Sequence, residues 1–66
     1  MDITINGEKK ALDGPLTIAG LLGVLALEPR KIAVERNLEI VPKSKYDETP
    51  LSDGDKIEIV QFVGGG

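Results

Sequence analysis

The sequence predicts an α+β fold, a mixed sheet wrapped on one amphipathic helix, and three observations carry that expectation. Asp2-Ile3-Thr4-Ile5 alternates polar and apolar residues and runs into Asn6-Gly7. That dipeptide favours a two-residue hairpin because both central positions of a type I′ turn take positive φ. Ile18, Leu21, Leu22 and Leu25 recur at i, i+3, i+4 and i+7, which puts an apolar stripe along one side of a helix. Further strand-like segments follow, so the order is hairpin, helix, strand, short strand, loop, strand.

Residues 2–5 form the first predicted strand and residues 8–12 its return. Asp13-Gly14-Pro15 is a loop, and Thr17 is the expected N-cap of a helix running to about residue 26. Glu28-Pro29 ends the helix, because the residue before a proline disfavours helical dihedrals. Residues 31–35 alternate again, with Ile32 and Val34 on one side and Ala33 and Glu35 on the other. Arg36-Asn37-Leu38 turns the chain into a short strand, Glu39-Ile40-Val41, halted by Pro42, which has no N–H for a ladder. Residues 42–50 are polar and irregular, with one helical turn expected around Lys45-Tyr46-Asp47. Ser52-Asp53-Gly54-Asp55 turns into the last strand, residues 56–62. A helix between the second and third strands rules out a tight turn joining those two as antiparallel neighbours. One sheet curved around one helix is then the economical way to bury the helix stripe. That is the β-grasp, or ubiquitin-like, architecture, assigned to residues 1–63, with residues 64–66 as a flexible tail.

The rear of the helix is unusual: Ala19, Gly20, Gly23 and Ala26 are small and uncharged where a solvated face would carry Lys or Glu. Interior glycines cost about 1 kcal/mol each relative to Ala. Either this face packs closely against something or a marginal helix is tolerated.

Composition removes whole classes of function. A chain of 66 residues is one small domain, near the lower limit for a core without disulfides or metal. Apolar residues at 41% and charged residues at 29% place it with globular rather than disordered chains. With no Cys and no His, it has no Cys or His nucleophile, no thiolate or imidazole metal site and no iron–sulfur ligand. Any sulfur it carries is therefore not held as a side-chain persulfide. A net charge of −3 argues against nucleic acid, and the uncharged run from Gly14 to Leu27 is too short to span a bilayer. Asp53-Gly54-Asp55 lacks the further ligands of a calcium loop, and Lys9-Lys10 and Lys43-Ser44-Lys45 read as solvated. No bound metal or cofactor is expected. No signal peptide precedes the first strand, so the expectation is a cytoplasmic protein, monomeric when free.

Chemistry is expected at the other end. Gly64-Gly65-Gly66 directly follows the apolar run of residues 57–63. Glycine loses the most backbone entropy on ordering and has nothing to bury, so the triplet serves neither core nor sheet. Bare backbone can instead thread a slot too narrow for side chains. Gly64 and Gly65 are expected to thread it, and the α-carboxylate of Gly66 to be the group a partner modifies. Alternation along the last strand puts Ile57 and Ile59 on one face and Glu58, Val60 and Phe62 on the other. Val60 and Phe62 then point outward as a docking anchor beside the tail; the alternative is a Phe62 ring folded over the rim of the core.

These residues resemble the ThiS family of sulfur carriers in thiamine biosynthesis across essentially the whole chain. The resemblance lies in Ile3-Thr4-Ile5-Asn6-Gly7-Glu8, Ile32-Ala33-Val34-Glu35 with Asn37, Glu39-Ile40-Val41-Pro42 and Leu51-Ser52-Asp53-Gly54-Asp55. Its most specific part is the ending, Glu58-Ile59-Val60-Gln61-Phe62-Val63-Gly64-Gly65-Gly66. Gly20, where the helix start usually carries an acidic residue, and Leu38, in place of a turn glycine, depart from the pattern. The resemblance implies a cycle: an E1-like, ThiF-type enzyme uses ATP, with Mg, to adenylate the Gly66 carboxylate. A sulfur donor such as a cysteine desulfurase then supplies the sulfur of a terminal thiocarboxylate, and a ThiG-type thiazole synthase consumes it. The bare carboxylate, with a pKa of roughly 3.3–3.7, resists nucleophiles until it is activated. The chain is thus expected to be a co-substrate and not a catalyst. A molybdopterin sulfur carrier, a ubiquitin-like protein modifier and a passive β-grasp interaction module remain as alternatives.

Overall fold

Both asparagine turns form as expected in the computed structural model, which describes residues 1–62. Asn6 and Gly7 take φ of 48° and 84°, and Asn37 and Leu38 take 51° and 72°, the pair of positive values that a type I′ hairpin requires. The first turn joins β1 (Asp2–Ile5) to β2 (Glu8–Ala11), and the second joins β3 (Ile32–Arg36) to β4 (Glu39–Val41). The last strand, β5 (Lys56–Gln61), inserts between the two hairpins, parallel to β1 and antiparallel to β3. The sheet therefore has five strands in the order β2-β1-β5-β3-β4.

The predicted parity holds in each central strand. Ile3 and Ile5 of β1, Ile32 and Val34 of β3, and Ile57 and Ile59 of β5 are buried with Ile18, Leu21 and Leu22 of the helix α1 (Ile18–Val24). The segment 42–51 closes the remaining side of the core with Tyr46 and Leu51. Its helical turn falls at Lys43–Lys45, so that Tyr46 follows the turn into the core. The same segment completes the start of α1, where the first amide groups have no partner within the helix. Ile18 N–H donates to Thr49 O, Ala19 N–H to Tyr46 O, and Gly20 N–H to the Thr17 Oγ1 cap at 3.1 Å.

The helix is shorter than its periodicity predicts because Ala26 takes a φ of 57°. Leu27 N–H donates to Leu22 O at 2.9 Å and Ala26 N–H to Gly23 O at 3.1 Å. This is a Schellman closure with alanine at the left-handed position that glycine usually fills. The closure turns Leu25 and Leu27 onto the edge of the core. Close packing of the small-residue face is confined to Ala19 and Gly20. A Cβ at Gly20 would lie 3.2 Å from Leu16 Cδ2, whereas a Cβ at Gly23 would meet open space.

Asp53-Gly54-Asp55 is a structural turn. The Asp53 carboxylate accepts from Asp2 N–H at 2.7 Å. Asp55, 6% exposed, accepts from Ser52 N–H at 2.7 Å, Arg36 Nε at 2.9 Å and Asn37 Nδ2 at 3.1 Å. Burial pushes the Asp55 carboxyl up, but these hydrogen bonds and the guanidinium charge together outweigh it and hold the group below its ordinary value.

A lowered folded pKa means that Asp55 contributes stability fully present above the unfolded carboxylate pKa, about 4, and lost as the pH falls through the folded value. In urea unfolding, the stability difference between the wild type and Asp55→Asn should be largest near neutral pH and shrink below about pH 4. A difference that does not change with pH would contradict the network. The two side-chain-bearing residues at left-handed turn positions lead to a second expectation. Leu38→Gly and Ala26→Gly should each raise stability by up to about 1 kcal/mol. That gain is the roughly 1–2 kcal/mol cost of the left-handed conformation less the entropy glycine adds to the unfolded chain. A lower urea midpoint in both variants would refute this.

Candidate functional site

Strand parity decides what β5 shows to solvent. Val60 lies opposite Ala33 of β3 on the face away from α1, and Phe62 N–H donates to Lys31 O at 2.8 Å, extending the pairing one residue beyond β5. Val60 is 60% exposed and Phe62 53% exposed, so the outward reading of both residues stands and Phe62 is not a core residue. Lys43 Nζ donates to Ile32 O at 3.1 Å and sits 5.5 Å from the centre of the Phe62 ring. This cation–π contact steadies the ring without burying it. Lys43 is exposed, as its reading as a solvated charge expects, and it borders the candidate surface through this contact.

Ile40 extends the apolar face. It sits opposite Glu35 on β4 and is 76% exposed, while its neighbour Val41 is buried. Only alternation hints at this in the sequence: two adjacent apolar residues of a strand must point to opposite faces. Which of the two is outward depends on register. Glu35 and Glu58 also face each other across β3 and β5 on this surface, an arrangement of like charges that costs stability.

Val63 and the tail residues Gly64, Gly65 and Gly66 lie outside the described residues, and with them the expectations of tail mobility, threading and a domain boundary at residue 63. Among the described residues no three His, Cys, Asp or Glu side chains come together as metal ligands. No described helix is long and apolar enough to cross a membrane.

These features define a class of protein: a ubiquitin-like β-grasp domain whose exposed apolar sheet face adjoins the root of a glycine tail. Comparison with known proteins narrows the class. The sequence model of the ThiS family matches residues 3–66. The sulfur carrier protein ThiS of Bacillus subtilis (strain 168) is 54% identical over 50 residues, which cover 76% of each chain. A thiazole synthase of Paramagnetospirillum magneticum is 54% identical over all 66 residues. The chain spans only 20% of the length of that protein and of a second, similar thiazole synthase from Magnetococcus marinus. The crystal structure of the thiamine biosynthesis protein ThiS from Geobacter metallireducens matches the fold with a TM-score of 0.86, at 35% identity over the whole of both chains. The chain belongs to the ThiS family.

The exposure of Phe62 sets its contribution to the fold. Phe62→Ala should cost about 1 kcal/mol or less in urea unfolding, well short of the roughly 3–5 kcal/mol lost when a buried Phe is truncated. A loss in the buried range would return the ring to the core.

Proposed function

We propose that this protein carries sulfur as a thiocarboxylate on Gly66 and delivers it to a thiazole synthase. The observation that carries the reading is the exposed apolar pair Val60 and Phe62, set within a few residues of a tail that has no side chains. An E1-like, ThiF-type enzyme docks on that pair. One oxygen of the Gly66 carboxylate attacks the α-phosphorus of ATP, in a reaction that uses Mg, and pyrophosphate leaves. A persulfide on a donor such as a cysteine desulfurase then attacks the acyl carbon, and AMP departs with the carboxylate oxygen. A thiol reductant cleaves the S–S bond of the resulting acyl disulfide, releasing the thiocarboxylate and the donor thiol as the reductant is oxidised to its disulfide. The protein is the substrate of this sequence; positioning and charge stabilisation come from the partner. Relatives that are thiazole synthases and contain a segment resembling the entire chain support a thiazole synthase as the acceptor.

Intact mass after incubation with the adenylating enzyme, ATP, a cysteine desulfurase, cysteine and a thiol reductant tests the reading. Exchange of one oxygen for sulfur is expected, with Gly66 deletion or a residue appended after Gly66 abolishing it and leaving circular dichroism unchanged. A conjugate of higher mass on a lysine would make the chain a modifier, and thiocarboxylate on the deletion variant would place the chemistry elsewhere. Phe62→Ala should weaken capture by the adenylating enzyme by roughly 2 kcal/mol, as hot-spot aromatics do. Unchanged affinity would remove Phe62 from the interface.

A further inference from the structure

A side chain, not a strand, satisfies the backbone of Ile59. In the pairing of β5 with β3, Glu35 with Glu58 and Ala33 with Val60 are the hydrogen-bonded pairs, in phase with the Phe62 N–H to Lys31 O bond. Ile59 therefore turns its N–H and C=O toward the β1 side. There Asn6 N–H donates to Ile57 O at 2.9 Å, and beyond that bond the Asn6 amide takes over. Its Nδ2 donates to Ile59 O at 3.1 Å, and its Oδ1 accepts from Ile59 N–H at 2.8 Å. The next residue is Gly7, at a φ of 84°. An asparagine followed by glycine is the pair most open to loss of its side-chain amide, because no Cβ shields the glycine nitrogen from the asparagine Cγ.

In that reaction the Gly7 nitrogen attacks Asn6 Cγ. A C–N bond forms and the Cγ–Nδ2 bond breaks. The Gly7 proton passes through solvent to the leaving nitrogen, which departs as ammonia. Water then opens the cyclic succinimide at either carbonyl and leaves aspartate or isoaspartate at position 6. We propose that Asn6 is a deamidation site gated by its own clamp on Ile59. Attack makes Cγ tetrahedral and destroys the amide plane that holds both bonds to β5, and the nitrogen that leaves is the donor to Ile59 O. Opening of the clamp therefore precedes the reaction, and the reaction keeps it open. A carboxylate sets an oxygen against Ile59 O where an N–H stood. Isoaspartate also lengthens the backbone of a two-residue turn. The site thus ages the chain in proportion to the time the clamp spends open, and what is lost is the hold on the strand that leads to the glycine tail. This inference stands apart from the functional reading above. Asn37 clamps Lys56 in the same way, but the side chain of Leu38 hinders attack by the nitrogen that follows it, so the chain carries its own control.

Peptide mapping during incubation at mildly alkaline pH is the test. The signal is replacement of NH by O at position 6, a mass change that isomerisation at Asp13-Gly14 or Asp53-Gly54 does not produce. In urea above the unfolding midpoint, Asn6 should react well ahead of Asn37. In the native chain Asn6 should react at least about tenfold more slowly than in urea, in step with hydrogen exchange of the Ile59 amide. A semisynthetic chain with an ester in place of the Ile59 amide lacks the N–H that Asn6 Oδ1 accepts. With circular dichroism confirming its fold, it should deamidate several-fold faster than the native wild type. Equal Asn6 rates in the folded and unfolded chain, or in the folded ester chain and the wild type, overturn the gate. Asn6 no faster than Asn37 in urea overturns the site itself. Asn6→Asp should lower the urea midpoint and strip protection from the Ile59 amide. An unchanged midpoint with protection retained shows that the product restores the clamp, and overturns the proposal.

Discussion

The central strand of this small sheet is held by the side chains of two turn asparagines. Asn6 pairs with both the N–H and the C=O of Ile59. Asn37 does the same at the other end of β5: its N–H donates to Lys56 O at 2.8 Å, its Oδ1 accepts from Lys56 N–H at 2.9 Å, and its Nδ2 reaches Asp55. Both are left-handed residues, a conformation that asparagine tolerates better than most residues. Each hairpin therefore ends in an amide that docks β5, the strand which carries Ile57 and Ile59 into the core and Val60 and Phe62 out of it. The pairing of β5 with β1, Thr4 with Lys56 and Ile5 with Ile57, is of high sequence separation, and such contacts must overcome a large loop-closure entropy.

What the clamps hold is the strand that leads to the glycine tail. Under the proposed function, a carboxylate that reaches a partner's reacting centre is useful only if the residues before it sit in one register. The core grips β5 from the helix side, the Lys31 carbonyl holds Phe62 from the β3 side, and Lys43 caps the ring. Local costs gather around the same strand: exposed Val60, Phe62 and Ile40, and the facing carboxylates of Glu35 and Glu58. A domain shaped by stability alone would carry polar or paired residues there. Violations of local rules that cluster at one surface mark where function outweighs folding. The φ of Leu38 and Ala26 is a different matter: nothing in the fold explains why glycine is not used at either position.

Much of this was legible in the residues. Alternation in β1, β3 and β5, the Asn6-Gly7 turn and the helix stripe are signals of period or local sterics, and each gave the right element and the right face. The outward direction of Val60 and Phe62 followed from the same parity. The helix end did not, because the left-handed conformation of Ala26 comes from hydrogen bonds to Gly23 and Leu22 and not from the identity of the residue. The contact of Lys43 with Phe62 and the outward face of Ile40 were not legible, since they depend on segment 42–51 folding back toward Phe62 and on the register of β4 beside β3.

The sequence by itself determined the periodic elements, the glycine ending and the absence of any Cys or His, because periodicity, backbone freedom and side-chain chemistry are properties of neighbours along the chain or of composition. Only the tertiary structure decided that β5 sits between the hairpins, that Asp55 is a buried hub and that Asn6 ends the ladder one residue pair short of Gln61. Those outcomes rest on contacts between residues 18 to 53 positions apart, where geometry in space, and not spacing in sequence, chooses the partner.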